Sequence, residues 1–144
     1  MPVNRPDPDA IHVAAASLNQ TVGDWEGNQN RILAAIEESK LRGARLLLLP
    51  EMCIPGYSLG DRLPRQGTLE RSWKCLEALL PETSGMIVCV GLPISHNGVL
   101  YNAMAVCADG KLGGLVAKEN LATGDVEYES RWYSAWRHGT LEEF

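Results

Sequence analysis

Glu51, Lys118 and Glu129 are the residues of this chain whose types and positions suit acid–base chemistry. Glu51 ends the run Leu46-Leu47-Leu48-Leu49-Pro50-Glu51. Four leucines stopped by a proline read as a buried strand. In open α/β sheets, functional groups gather at the carboxyl ends of strands. Lys118 closes another apolar run, Leu115-Val116-Ala117, and Glu129 lies in the aromatic-rich stretch after it. A thiol amidase needs a nucleophile, a base for the thiol proton, and a cation or donors where the oxyanion develops. Glu51 suits the base. Lys118 suits the cation and can relay a proton to a leaving amine. Glu129 can hold the lysine or a substrate amine. Judged on spacing alone, glutamates and lysines at strand ends are more usually solvated surface charges. The chain has four cysteines, of which Cys53 lies two residues past Glu51.

The surrounding elements must place these groups. Residues 11–18 are almost continuously apolar and predict a first strand, covered on both faces. Asp24 is placed to cap a helix running to about Arg42, with Ile32, Leu33, Ile36 and Leu41 as its stripe. Gly43 follows as the residue that ends it. The leucine strand comes next, so a right-handed βαβ unit with parallel pairing is expected. Thr68 is the expected cap of a second helix. Its face would be Leu69, Trp73, Leu76, Leu79 and Leu80, with Pro81 as the stop. Residues 86–93 predict a third strand. Residues 99–107 and 111–118 predict an antiparallel hairpin around Asp109-Gly110. Beyond Lys118, Tyr128, Trp132, Tyr133 and Trp136 are too aromatic for a disordered tail and should be packed.

Composition narrows the classes. The chain has 144 residues, 45% hydrophobic and 22% charged, with net charge −5. That is about one soluble domain, and the acidic balance argues against a nucleic-acid partner. No apolar segment approaches the roughly 18 residues of a membrane span. Residues 1–10 are polar and proline-rich and read as a disordered lead-in without signal-peptide layout, hence a cytoplasmic protein. The four cysteines form no CxxC pair, so reduced thiols and no metal site are expected. No GxGxxG or P-loop is present, which sets aside the nucleotide-binding folds.

Several short motifs occur together and in order. They are Leu49-Pro50-Glu51 with Gly56-Tyr57, Gly91-Leu92-Pro93, Tyr101-Asn102-Ala103, Asp109-Gly110-Lys111, and Lys118 with Leu121. In this combination the chain resembles the nitrilase superfamily of carbon–nitrogen hydrolases. The segments 56–63 and 127–133 are similar to the amino-terminal glutaminase domains of the glutamine-dependent NAD synthetases. The resemblance implies an α/β fold of the α-β-β-α sandwich type, with residues 11–144 as an incomplete, amino-terminal portion of it. It implies Glu51 as base, Lys118 as cation, Glu129 as a supporting carboxylate and Tyr57 as a substrate-pocket residue. The family's nucleophilic cysteine lies beyond the lysine; no cysteine follows Lys118 here, and Cys53, in a variable place of the motif, does not match it. The implied reaction is hydrolysis of glutamine, or another small amide, through a cysteinyl thioester, with no cofactor in this domain. ATP would belong only to a carboxy-terminal synthetase domain that uses the ammonia to amidate deamido-NAD. The complete protein is expected to be a homo-oligomer, and this portion alone to be inactive. The alternatives are part of a stand-alone nitrilase-type amidase, or a non-catalytic interaction module.

Overall fold

The computed structural model describes residues 10–124, 126 and 128–144. The expected lead-in over 1–10 therefore lies outside the described residues, except for Ala10. The apolar runs form strands β1 (Val13–Ala15), β2 (Leu46–Leu48), β3 (Ile87–His96), β4 (Val99–Ala108) and β5 (Lys111–Ala117). Helices α1 (Trp25–Leu41) and α2 (Gln66–Leu79) connect β1 to β2 and β2 to β3. The sheet order is β1-β2-β3-β4-β5, with β1, β2 and β3 parallel and the last two pairings antiparallel. Two successive βαβ crossovers of one hand put both helices on one face of the sheet.

The helix ends follow the sequence in one case and not in the other. Asp24 caps α1, its Oδ1 accepting from Gly27 N at 3.0 Å, and Gly43 takes φ +73° beyond the last turn. Only part of the expected stripe is core. Ile32 and Ile36 are fully buried, whereas Leu41 is exposed. α2 begins earlier than expected, at Gln66. Thr68 lies inside it, its hydroxyl donating back to Arg62 O at 2.8 Å. Its buried face is Thr68, Ser72, Leu76 and Leu79. Trp73 is only partly buried and donates its indole N–H to Glu77.

One face of the sheet carries Leu47, Val88, Val90, Leu92, Ala105 and Cys107, which pack with the helices in a single core. The other face carries Val13, Leu48, Ile87 and Val116, with 67%, 46%, 40% and 62% of their surface exposed. The expectation that the first strand is covered on both faces is thus not met. The antiparallel part has two tight turns. Asn97-Gly98 joins β3 to β4 and Asp109-Gly110 joins β4 to β5, all four residues having positive φ, as two-residue hairpin turns of the primed types require. The β4–β5 register changes midway. Cys107 pairs with Leu112, but Val106 pairs with Gly114, so Gly113 is an extra residue on β5, a β-bulge. None of the described helices is long and apolar enough to cross a membrane.

Candidate functional site

The topology brings three chain segments to one end of the sheet. β2 and β5 run in the same direction, so Glu51 just past β2 and Lys118 just past β5 arrive at the same edge. β4 runs the other way, so its beginning, near Asn102, lies there too. Lys118 N donates to Asn102 O at 2.8 Å and continues the ladder one step past β5.

The turn that carries Glu51 is held on two sides. Below it lies Gly91, where an added Cβ would come within 2.4 Å of Met52 N and 2.6 Å of Pro50 O. Only glycine lets the turn cross β3 this closely. On the far side, three successive carbonyls are caught. Gln20 Nε2 donates to Cys53 O (2.6 Å), Asn28 Nδ2 to Ile54 O (2.9 Å) and Gly23 N to Pro55 O (2.8 Å). Arg31 ties Gln20, Asn28 and Asp24 together through its guanidinium. Met52, next to Glu51, sits in the left-handed region at φ 51°, a conformation an L side chain seldom adopts. Its sulfur accepts from Tyr133 OH at 3.4 Å.

The charged groups converge as the sequence suggested. Lys118 Nζ lies 2.9 Å from Glu51 Oε1 and straddles Glu129, at 3.1 Å from Oε1 and 2.9 Å from Oε2. Tyr57 OH donates to Glu129 Oε1 at 3.2 Å. Ala122 N donates to Glu129 Oε2 at 2.5 Å. Asn102 Nδ2, which no sequence argument had given a role, donates to Glu129 Oε1 at 3.1 Å and also to Glu51 Oε1.

The two carboxylates have different surroundings. Glu129 is 4% exposed and both its oxygens are fully engaged by donors. It can hold the lysine but has no oxygen left for a substrate amine. Glu51 keeps 40% of its side-chain surface. It uses one oxygen for Lys118 and Asn102, while no hydrogen bond engages Oε2 among the described residues. An open carboxylate oxygen anchored through its twin is what a base needs.

Burial, taken alone, pulls Lys118 down. The hydrogen bonds and charges of Glu129 and Glu51 outweigh it and hold the ammonium above its ordinary range. Burial pushes Glu129 up, but Ala122 N–H and Lys118 prevail and leave it below the usual carboxylate range. Tyr57 is pushed up to about 12 by burial of its hydroxyl and by the two carboxylates. Glu129 and Lys118 are therefore held as an ion pair at neutral pH.

A cavity of about 240 Å³ opens beside these groups, lined among others by Met52, Tyr57, Tyr128, Glu129, Trp132 and Tyr133. Its outer wall is strapped by Asp61, which accepts from Trp132 Nε1 (3.0 Å) and from Arg131 (3.2 and 3.3 Å). Tyr133 is buried, as the aromatic tail predicted, and Trp132 and Trp136 partly so. Tyr128 is 62% exposed and corrects that expectation.

Cys53 lies in the hydrophobic core with its Sγ facing Gly91 O at 3.6 Å. Burial raises its thiol to about 12, so it is neither open nor ionised. All four cysteines are free thiols. Among the described residues no cluster of three or more His, Cys, Asp or Glu is placed to hold a metal ion.

Asn28 and Asn102 are two buried amides at this site to which the sequence reading gave no role. Each was signalled by a polar residue on an apolar stripe: Asn28 four residues before Ile32 in α1, Asn102 inside the apolar strand β4. A buried amide at such a place must find partners, and here the partners belong to the site.

The sequence profile of the carbon–nitrogen hydrolase family matches residues 12–141. The glutamine-dependent NAD(+) synthetase of Macaca fascicularis is 40% identical over 137 residues, and that of Saccharomyces cerevisiae 35%. Each alignment covers 93% of this chain and 19% of the relative, so the chain spans about a fifth of the length of these relatives. The crystal structure of a glutamine-dependent NAD(+) synthetase from Cytophaga hutchinsonii superposes with a TM-score of 0.91 at 35% identity, over 93% of this chain and 23% of that one. The NitN amidase from Neterenkonia sp. AN1 shares the fold, with a TM-score of 0.73 at 19% identity over 89% of this chain and 50% of that one. The five-stranded sheet with its single helical layer is the amino-terminal portion of a nitrilase-like α-β-β-α sandwich, and the chain belongs to the carbon–nitrogen hydrolase family.

Proposed function

We propose that residues 11–144 form the amino-terminal portion of a glutamine-hydrolysing amidase domain, in a longer protein that uses the released ammonia to amidate deamido-NAD. The observation that carries this reading is the convergence of Glu51, Lys118 and Glu129 in one hydrogen-bonded group, with Glu129 and Tyr57 also lining the adjoining cavity. The identity with glutamine-dependent NAD(+) synthetases supports the choice of substrate. The stand-alone amidase alternative has only fold-level similarity behind it.

In this reading a thiol from a later part of the protein is the nucleophile. Glu51 Oε2 takes its proton as sulfur attacks the glutamine carboxamide carbon. Lys118 stabilises the oxyanion. The tetrahedral intermediate collapses with cleavage of the C–N bond. Glu51 Oε2 passes that proton to the leaving amine, while Lys118 stays charged against Glu51 Oε1 at 2.9 Å. Water then attacks the thioester with Glu51 again as base, giving glutamate and the free thiol. Glu129 and Tyr57 hold Lys118 and shape the pocket. No cofactor takes part in this half of the reaction, and ATP is used only by the synthetase domain. Residues 1–144 alone then release no glutamate from glutamine. The complete protein works in the cytoplasm as a homo-oligomer.

The test uses the complete protein and measures NAD formation with glutamine or with ammonia. Glu51→Gln abolishes the glutamine-dependent rate and leaves the ammonia-dependent rate largely intact. Equal loss of both rates, or glutamate release by residues 1–144 alone, refutes the assignment.

A further inference from the structure

We propose that Asn102 is a positioning residue of this site. By donating from one side-chain amide to Glu51 and Glu129 at once, it keeps Glu51 turned so that Oε2 is the oxygen that meets the thiol. The inference rests on the reading of Glu51 as the base.

Asn102 is 3% exposed, within strand β4, and its Nδ2 reaches Oε1 of both carboxylates. Ionised carboxylates only accept hydrogen bonds, so the NH₂ end of the amide must face them, and this fixes the amide's orientation. The same residue accepts from Lys118 N at 2.8 Å through its backbone oxygen. One residue of a paired strand therefore sets the main chain of the cation and the side chain of the base.

Lys118 cannot set the orientation by itself. An ammonium is a rotatable point charge on a flexible stem and would follow either oxygen of Glu51. A planar amide on a buried strand has its two N–H directions fixed. With Glu51 two-fifths exposed, losing that tether frees the carboxylate to swing and to turn Oε2 toward the lysine. The amide is also neutral. It adds donors for two carboxylates without adding a second cation, so the charge that Lys118 offers an oxyanion is undiluted. Aspartate at this position would instead put a third carboxylate against the first two.

Two measurements decide. In the complete protein, Asn102→Ala lowers kcat for glutamine hydrolysis by about 10- to 100-fold, with KM within about twofold. In the 144-residue chain, the Asn102 side-chain amide protons exchange slowly in ¹⁵N spectra, and Glu51→Gln shifts them. A raised KM at unchanged kcat overturns the proposal. So does an Asn102 amide that exchanges as fast as exposed asparagines and ignores Glu51→Gln. If the complete wild-type protein releases no glutamate, the functional reading fails, and the amide spectra still decide whether Asn102 tethers Glu51.

Discussion

Glu51 and Glu129 share one lysine, yet replacing each by glutamine should have different consequences for stability. At Glu129 both oxygens face donors: Tyr57 OH, Asn102 Nδ2 and Lys118 Nζ on one side, Ala122 N and Lys118 Nζ on the other. Whichever way the new amide turns, its NH₂ points at a donor. One buried group loses its acceptor, at about 1–3 kcal/mol, and Lys118 loses its more buried counter-ion. Breaking such a pair from one side costs about 3–5 kcal/mol when fully buried, and Lys118 keeps 29% of its side-chain surface, so the lower end applies. Glu129→Gln should therefore destabilise the fold by about 3 kcal/mol. At Glu51 a glutamine can put its oxygen where Oε1 accepts from Lys118 and Asn102, and its NH₂ where no described partner stands. The remaining loss is that of a half-exposed ion pair, at most about 1 kcal/mol.

Urea unfolding of the two variants at neutral pH measures the difference directly. In a heating scan of a chain this size, Glu129→Gln should lower Tm by about 10 °C and Glu51→Gln by no more than about 3 °C. The pH dependence follows with its sign. Glu129 has a depressed folded-state pKa, so its contribution is full above its unfolded value of about 4.3 and is lost as pH falls through the lower folded value. The acid limb of the stability profile should be shallower in Glu129→Gln. Equal destabilisation by the two variants, or a larger loss from Glu51→Gln, would refute the reasoning.

Two further outcomes follow from the packing. Gly91→Ala forces a Cβ against the Pro50–Met52 backbone, within 2.4 Å of Met52 N. It should cost more than about 3 kcal/mol, whereas Gly67→Ala in α2, with nothing within 4 Å, should stabilise by up to about 1 kcal/mol; urea midpoints of the two variants compare them, and a harmless Gly91→Ala would mean that the turn can lift off β3. In thiol labelling of the native chain at neutral pH, the partly exposed Cys75 and Cys89 should react well before Cys53 and Cys107, whose thiols burial raises to about 12 and 11; prompt labelling of Cys53, read by peptide mass mapping, would remove the argument against it as a nucleophile.

The legible parts of the sequence were those where local chemistry and tertiary contacts agree. Asp24 and Gly43 bracket α1 because capping is a local matter. Asp109-Gly110 marks a turn because positive φ is needed there whatever surrounds it. Glu51 and Lys118 could be paired on paper because both end strands that run the same way. The misreadings come from contacts that a single stretch cannot report. Thr68 resembles a cap, but Arg62 O lies within reach of its hydroxyl and the helix starts before it. Residues 11–18 look like a strand buried on both faces, and one face is bare. Asn97-Gly98 is as clear a turn signal as Asp109-Gly110, but it falls inside what reads as a strand end and a loop. Asn102 was visible only as one letter of a motif. Its role depends on two carboxylates 51 positions before it and 27 after it.

The bulge at Gly113 turns the β4–β5 hairpin into a gauge of length. Near the Asp109-Gly110 turn, Ala108 faces Lys111, whereas at the far end Ala103 faces Ala117. If Gly113 paired in regular register instead of bulging, Ala117 rather than Lys118 would stand opposite Asn102. The lysine would then lie one residue, about 3.4 Å, further along and on the opposite face of the strand. Deleting Gly113 therefore removes the bulge and leaves Lys118 opposite Asn102, whereas a single insertion in β5 that no second bulge absorbs carries the cation one residue past the site. A two-residue insertion keeps the face but carries the ammonium about 7 Å past Glu51. Lys118 is positioned by counting residues as much as by the side chains around it, and variation in hairpin length has to be accommodated outside the arm between the bulge and the lysine.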